Sequence, residues 1–208
     1  MTIERRGRTV NLWGRHTISA LISLDYALLG LLARAPYSGY DLIQRIEKPI
    51  GFFWHARRSQ IYPELARLEA AGFVTHTVVE QHARPDKKVY EITEAGRAAL
   101  RAWVVTPLQP APDRDELMLK TYSVWLADPE EAIALYRAQE RMHRDQLARY
   151  EQLAAEMEGR AGPELLRRDA PRFAAYATLQ RGLAYERGYA EWCRWMAQML
   201  EDGAYSPE

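Results

Sequence analysis

Apolar positions in the first half of the chain recur three times at helical spacing and then switch to alternation. Leu24-Asp25-Tyr26-Ala27-Leu28-Leu29-Gly30-Leu31-Leu32-Ala33 is apolar nearly all round, the mark of a short buried helix. Ser23 is its expected cap. Ala35-Pro36-Tyr37 ends it, because the residue before proline is pushed out of the helical region. Ser38-Gly39 opens a second helix, Tyr40 to about Lys48, with Leu42, Ile43 and Ile46 on one face and Pro49 and Gly51 as stops. Phe52-Phe53-Trp54 reads as an aromatic plug on the side of the core. A third helix, with Ser59 as N-cap and an end near Ala71, places Ile61, Leu65 and Leu68 at i, i+4, i+7. Pro63 lies near its first turn, where a missing N–H costs little. Gly72 supplies the stop.

The period then becomes two. Phe73–Glu80 is rich in β-branched residues and Lys88-Val89-Tyr90-Glu91-Ile92 alternates polar and apolar, so both read as strands. The loop between them, Gln81–Lys87, holds Arg84, Pro85 and Asp86, which gives a hairpin with a basic tip. Thr93-Glu94-Ala95-Gly96 begins a fourth helix that carries Leu100 and Trp103 to about Val105. Three prolines, Pro107, Pro110 and Pro112, mark Thr106–Asp113 as a linker.

Beyond the linker the pattern is almost wholly helical. Asp115–Leu126 is a short helix. Asp128-Pro129-Glu130-Glu131 is a strong start signal, with an N-cap aspartate, proline at the first position and acids in the first turn. The helix it opens runs unbroken to about Glu158, ~46 Å at 1.5 Å per residue. A last helix spans roughly Arg172 to Glu201. Ile133, Tyr136, Leu147, Tyr150, Ala154 and Met157 repeat at threes and fours on the first of these, with Glu140 and His143 interrupting the stripe. Phe173, Tyr176, Leu179, Leu183, Tyr189, Trp192, Met196 and Met199 do the same on the second, a coiled-coil-like seam.

The predicted fold is α+β, mainly α. A winged helix-turn-helix with a two-stranded wing precedes long antiparallel helices that serve dimerisation. The expected boundaries are a basic N-terminal extension at 1–22, the winged domain at 23–105, a Pro-rich linker at 106–114, the helical domain at 115–201 and a tail at 202–208.

Composition and charge sharpen this picture. The 208 residues are 48% hydrophobic and 27% charged, enough for a packed core. Net charge is zero, yet residues 1–104 hold 15 Lys/Arg against 10 Asp/Glu and residues 105–208 hold 13 against 18. A basic first half suits phosphate and an acidic second half stays clear of it. The single cysteine, Cys193, permits no intrachain disulfide, which fits a reducing cytoplasm, and its place among aromatics marks a core thiol. No apolar run reaches the ~20 residues of a membrane span. The five histidines form no HExxH pattern, so no metal site or cofactor is expected. No GxxxxGK, GxGxxG after a strand, or GxSxG is present, and no catalytic residue is assigned.

The third helix is short enough to enter a major groove about 12 Å wide. Ser59 and Gln60 stand at its start, where base edges are read, and glutamine can bond adenine through two atoms. Arg57, Arg58 and Arg67 surround it with positive charge, Tyr62 reaches toward phosphate, and Ser38 and Tyr40 mark a second helix start. Arg84, Lys87 and Lys88 make the wing basic. Trp103 is the candidate ring wall for an aromatic effector.

These same blocks carry a family resemblance. Leu24–Leu32, Ser38-Gly39-Tyr40-Asp41-Leu42, the run Gln60–Val74 (Gln-Ile-Tyr-Pro-Glu-Leu-Ala-Arg-Leu-Glu-Ala-Ala-Gly-Phe-Val) and Arg84–Arg97 (Arg-Pro-Asp-Lys-Lys-Val-Tyr-Glu-Ile-Thr-Glu-Ala-Gly-Arg) follow the order and spacing of the PadR family of transcriptional regulators, which the chain resembles over about residues 23–104. The two long helices are similar to the C-terminal domain of the larger members. The resemblance implies a homodimer formed by exchanged helices, repression, a pseudo-palindromic operator on double-stranded DNA, and in some members release by a phenolic compound or planar drug. Two features depart from the family pattern. Residues 1–22 precede the usual start and read either as an added arm or as an upstream translation start. Glu140 and His143 have no counterpart role.

Overall fold

A computed structural model of the chain describes residues 22–46, 57–80, 86–107 and 115–203. The chain divides into two compact units, Met1–Leu108 and Gln109–Glu208. Arg84, the aromatic run Phe52–Trp54 and residues 1–21 lie outside the described residues.

The first unit runs α1 (Ile22–Leu32), β1 (Tyr37–Ser38), α2 (Gly39–Arg45), α3 (Arg58–Ala70), β2 (Val74–Val79), β3 (Lys87–Ile92) and α4 (Glu94–Val104). Leu28, Leu29 and Leu32 of α1 meet Leu42 of α2 and Ile61, Leu65 and Leu68 of α3 in one core, which Val74, Tyr90 and Ile92 close from the sheet side. The apolar stripe read from the third helix is therefore its buried face. The sheet is antiparallel in the order β1-β3-β2. Sequence patterning expects two strands, and the structure adds β1, whose Tyr37 and Ser38 pair with Tyr90 and Val89. Two residues carry no alternation to detect, and their partners lie some fifty positions downstream.

The turn between α3 and β2 is fixed from both ends. Gly72 takes the left-handed conformation at φ 73°, which only glycine adopts without cost. Thr93, the N-cap of α4, accepts from the Gly96 N–H, donates its hydroxyl to the Gly72 carbonyl at 2.7 Å and donates its N–H to the Phe73 carbonyl at 3.0 Å. Gly96 then passes so close to that carbonyl that a Cβ would stand 2.2 Å from the oxygen. Farther along α4, Trp103 lies face to face on Tyr26 of α1, centroids 4.4 Å apart and planes within 7°.

The second unit holds α5 (Glu116–Tyr122), a 3-10 turn (Val124–Leu126), α6 (Pro129–Ala161), a second 3-10 turn (Gly162–Leu166) and α7 (Pro171–Glu201). Asp128 caps α6 through the N–H groups of Glu130 and Glu131, with proline in the first turn, as the start signal requires. The two long helices run antiparallel: Arg137 meets Glu201, Glu140 meets Arg194, His143 meets Glu186, and Glu158 meets Tyr176. Tyr136, Cys193, Met196 and Ala197 form the core of this unit, with Trp192 edge-on to Tyr136. Burial pushes the Cys193 thiol up to about 11, so it stays a neutral packing group.

Glu140 and His143 break the apolar stripe because they are wired across the seam. They are only 6% and 8% exposed. Glu140 accepts from Arg194 Nε at 3.0 Å and from Arg137 Nη1 at 3.1 Å. Burial alone would raise its pKa, but the bonds to Arg194 and Arg137 outweigh that and hold it below the ordinary carboxylate value. His143 Nδ1 and Glu186 Oε2 are 2.5 Å apart.

Three outcomes follow from this packing. Gly96→Ala should destabilise the first unit by about 1–3 kcal/mol through overpacking against backbone, whereas Gly188→Ala, with nothing within 4 Å of the added Cβ, should stabilise the second by roughly 0.4–1 kcal/mol; urea unfolding of each variant measures both. Glu140→Gln should cost about 1–3 kcal/mol at neutral pH. A carboxyl whose folded pKa is depressed contributes above its unfolded pKa and loses that contribution as pH falls through the folded value. The deficit of the variant should therefore shrink in acid below about pH 4.3, and a deficit independent of pH would contradict the ion-pair account.

Candidate nucleic-acid interface

One buried stripe leaves the opposite face of α3 outside. Its first turn presents Arg57, Arg58, Ser59 and Gln60, all exposed. The cap differs from the sequence reading. Arg57, extended at φ −77° and ψ 137°, is the N-cap, and its N–H donates to Gln60 Oε1 at 3.0 Å while the Gln60 N–H donates to the Arg57 carbonyl at 2.9 Å. A glutamine three residues on can reach back to the cap N–H, which moves the start of the helix upstream and puts Ser59 inside its first turn. Half of the Gln60 amide is thus engaged, and a two-atom contact to adenine would require it to leave the cap.

Tyr62 follows one turn on, 53% exposed. Its ring lies on Gly39 at the start of α2, where a Cβ would stand 2.4 Å from Tyr62 Cε1. The glycine thus sets where the hydroxyl goes. Tyr40 is also exposed, its hydroxyl accepting from Gln44 Nε2 at 2.8 Å.

Three residues assigned to DNA by sequence are committed within the protein. Ser38 is buried and caps α2: its hydroxyl donates to Asp41 Oδ2 at 2.6 Å and accepts the Asp41 N–H at 3.2 Å, and its own N–H donates to Asp41 Oδ2 at 3.1 Å. The pattern Ser-x-x-Asp is a capping box and was legible as one. Lys87 Nζ lies 3.2 Å from the same Asp41 oxygen. The Ser38 hydroxyl, against the opposing effect of burial, and then Lys87 hold the Asp41 carboxyl below its ordinary range. Arg67 is gripped by Glu64, with Nε–Oε1 at 3.0 Å, and by Asp25 of α1. Two carboxylates offset its charge. Burial raises the Asp25 pKa, with Arg67 pulling the other way. These ties fix α3 against α1 and the wing against α2.

Lys88 is the exposed wing lysine among the described residues. The wing also meets α3 through His76 of β2, whose Nδ1 is 2.5 Å from Glu69 Oε1, a pair with no signal in local spacing. Trp103 keeps one ring face on Tyr26. Together, the start of α3, Tyr40, Tyr62 and Lys88 form the exposed polar set: donors for phosphate and one amide for a base edge.

Comparison with known proteins agrees with this arrangement. Residues 28–102 match the Transcriptional regulator PadR-like family, and residues 114–201 match the family described as Virulence activator alpha C-term. The negative transcriptional regulator PadR of Bacillus subtilis is 33% identical over 185 residues, covering 86% of this chain and 97% of the relative. The crystal structure of that protein in complex with operator DNA superposes with a TM-score of 0.76 at 32% identity, over 86% of this chain and 99% of that one. Its complex with p-coumaric acid gives 0.69 at 33% identity, over 86% and 98%. Likeness at this level runs through both units, and the protein belongs to the PadR-like family of transcriptional regulators.

Proposed function

We propose that the chain is a sequence-specific DNA-binding repressor that acts as a homodimer on a pseudo-palindromic operator and lets go of it when a small aromatic effector binds. The observation that carries this reading is the exposed first turn of α3 beside a wing whose Lys88 faces solvent. Arg57, Arg58 and Lys88 supply sequence-independent affinity through phosphates, Tyr40, Tyr62 and Ser59 position the helix, and Gln60 reads a base edge. The B. subtilis relative is named a negative regulator and has been crystallised with operator DNA and with p-coumaric acid, which supports repression and an aromatic ligand.

The dimer is supported by an apolar surface on the helical unit. Leu119, Tyr122, Trp125 and Leu126 of α5 and the turn after it are 70% or more exposed, more than one copy alone accounts for. No helix among the described residues is long and apolar enough to cross a membrane, and the proposed site of action is the cytoplasm, where the DNA is. The reading assigns the protein no reaction of its own.

Titration of labelled DNA by fluorescence anisotropy at two salt concentrations tests the proposal on a selected operator and on random DNA. Lys88→Ala should weaken both and lower the salt slope by about one. Lys87→Ala should do less, because Asp41 already offsets that charge. Gln60→Ala should cost ~1–3 kcal/mol on the operator and little on random DNA; equal losses on both would remove Gln60 from base reading. No binding at low salt would favour a winged fold turned to a protein partner.

A further inference from the structure

The two ends of the Gln60 amide stand in unlike situations. Oε1 accepts the Arg57 N–H at 3.0 Å, while the Gln60 N–H donates to the Arg57 carbonyl at 2.9 Å. Side chain and backbone thus close on the same residue. The partner of the side chain is an N–H, so the amide atom that meets it is the oxygen; a nitrogen there would set donor against donor. Nε2, at the other end of the same planar group, has no hydrogen-bond partner among the described residues, and the residue is exposed. The acceptor that could have taken it, Glu64, lies four positions on, at the spacing where side chains on a helix meet. Both Glu64 oxygens are already held by Arg67 Nε, at 3.0 and 3.2 Å. The head of α3 therefore offers a pair of N–H donors and withholds the acceptor beside them.

The four bases answer such a group differently. In the major groove guanine presents two neighbouring acceptors, N7 and O6, adenine an acceptor and an N–H donor, thymine one acceptor beside a methyl group, and cytosine a donor alone. A two-atom contact to adenine needs both ends of the amide, and the adenine N6 group would have to share Oε1 with the backbone. Cytosine has nothing for Nε2 to bond. Thymine takes one of the two N–H groups. Guanine takes both and asks nothing of the oxygen.

We propose that Gln60 reads guanine, donating from Nε2 to N7 and O6 while its oxygen stays on the Arg57 N–H. The proposal rests on the reading of α3 as the base-reading helix and names the base. Adenine, the usual partner of glutamine, is passed over because the cap of the helix consumes the acceptor that adenine requires. The same cap orders the side chain before DNA arrives, so less freedom is lost on binding. The backbone N–H of Arg57 is thereby a positioning group for base choice, acting through Gln60.

Selection of operator sequences from random duplexes by the full chain, followed by titration of the wild type and Gln60→Ala against every single base-pair replacement, locates the pair that Gln60 contacts. That pair should be G·C: replacing it should weaken the wild type about tenfold and Gln60→Ala by less than about threefold. 7-Deazaguanine at that position, which lacks the N7 acceptor, should weaken the wild type by about threefold or more and leave the variant unaffected. Gln60→Glu separates the base contact from the cap. Its carboxylate still accepts the Arg57 N–H but donates nothing, so the helix content read by circular dichroism should be kept while the preferred base moves from guanine to cytosine, whose N4 group is a donor. Coupling of Gln60 to an A·T pair, no loss with 7-deazaguanine, or a guanine preference retained in Gln60→Glu would overturn the assignment and leave α3 as the reading helix. Coupling to no pair would overturn it by removing Gln60 from base reading. Failure to select any sequence would overturn it together with the sequence-specific reading of the protein.

Discussion

Burial of a single stripe of α3 is the constraint on which the DNA-binding unit depends. Ile61, Leu65 and Leu68 sit against α1 and α2 with almost no exposure, at roughly 1.5–3 kcal/mol per fully buried side chain. A helix of thirteen residues that buries one side must show the other. What it shows is therefore free to be polar, and the exposed side begins with two arginines, a serine and a glutamine. The ion pairs around it serve the same end. Arg67 with Asp25 and Glu64, Lys87 with Asp41, and His76 with Glu69 tie α3, α2 and the wing to one another, so that the outward groups hold their relative positions.

The helical unit solves a different problem. Two long antiparallel helices would pack as well in several registers if their seam were purely apolar. Glu140 with its arginines and His143 with Glu186 match at one register only, because a slip would strand buried charges at a cost of several kcal/mol. Of these residues His143 also lines a cavity between α5, α6 and α7, so one of the groups that set the register borders that space.

Much of this was written in local pattern. Helical stripes, the change of period at Phe73, the Asp-Pro-Glu-Glu start of α6 and the glycine stop at Gly72 each act over a few residues, and each lies where the pattern puts it, to within a few residues. What was not legible depends on partners distant in sequence. Strand β1 exists only because β3 is there to pair with it. The neutralisation of Arg67 requires Asp25, forty-two positions away, and Trp103 finds Tyr26 across a still longer interval. The cavity is assembled from three helices, none of which announces it. The Arg57 cap is the exception, since Gln60 three residues on was visible; the serine at 59 was the better capping residue by type, and the backbone chose by position.

Hydroxyl-radical footprinting of the DNA upstream of the gene, with the full chain at two protein concentrations, tests the central claim most directly. Two copies of α3 entering successive major grooves should protect two segments centred one helical turn apart, about 10–10.5 base pairs, and both should appear together as protein is added. Protection of a single segment, or none at low salt, would contradict a dimeric regulator that reads DNA through the exposed face of α3.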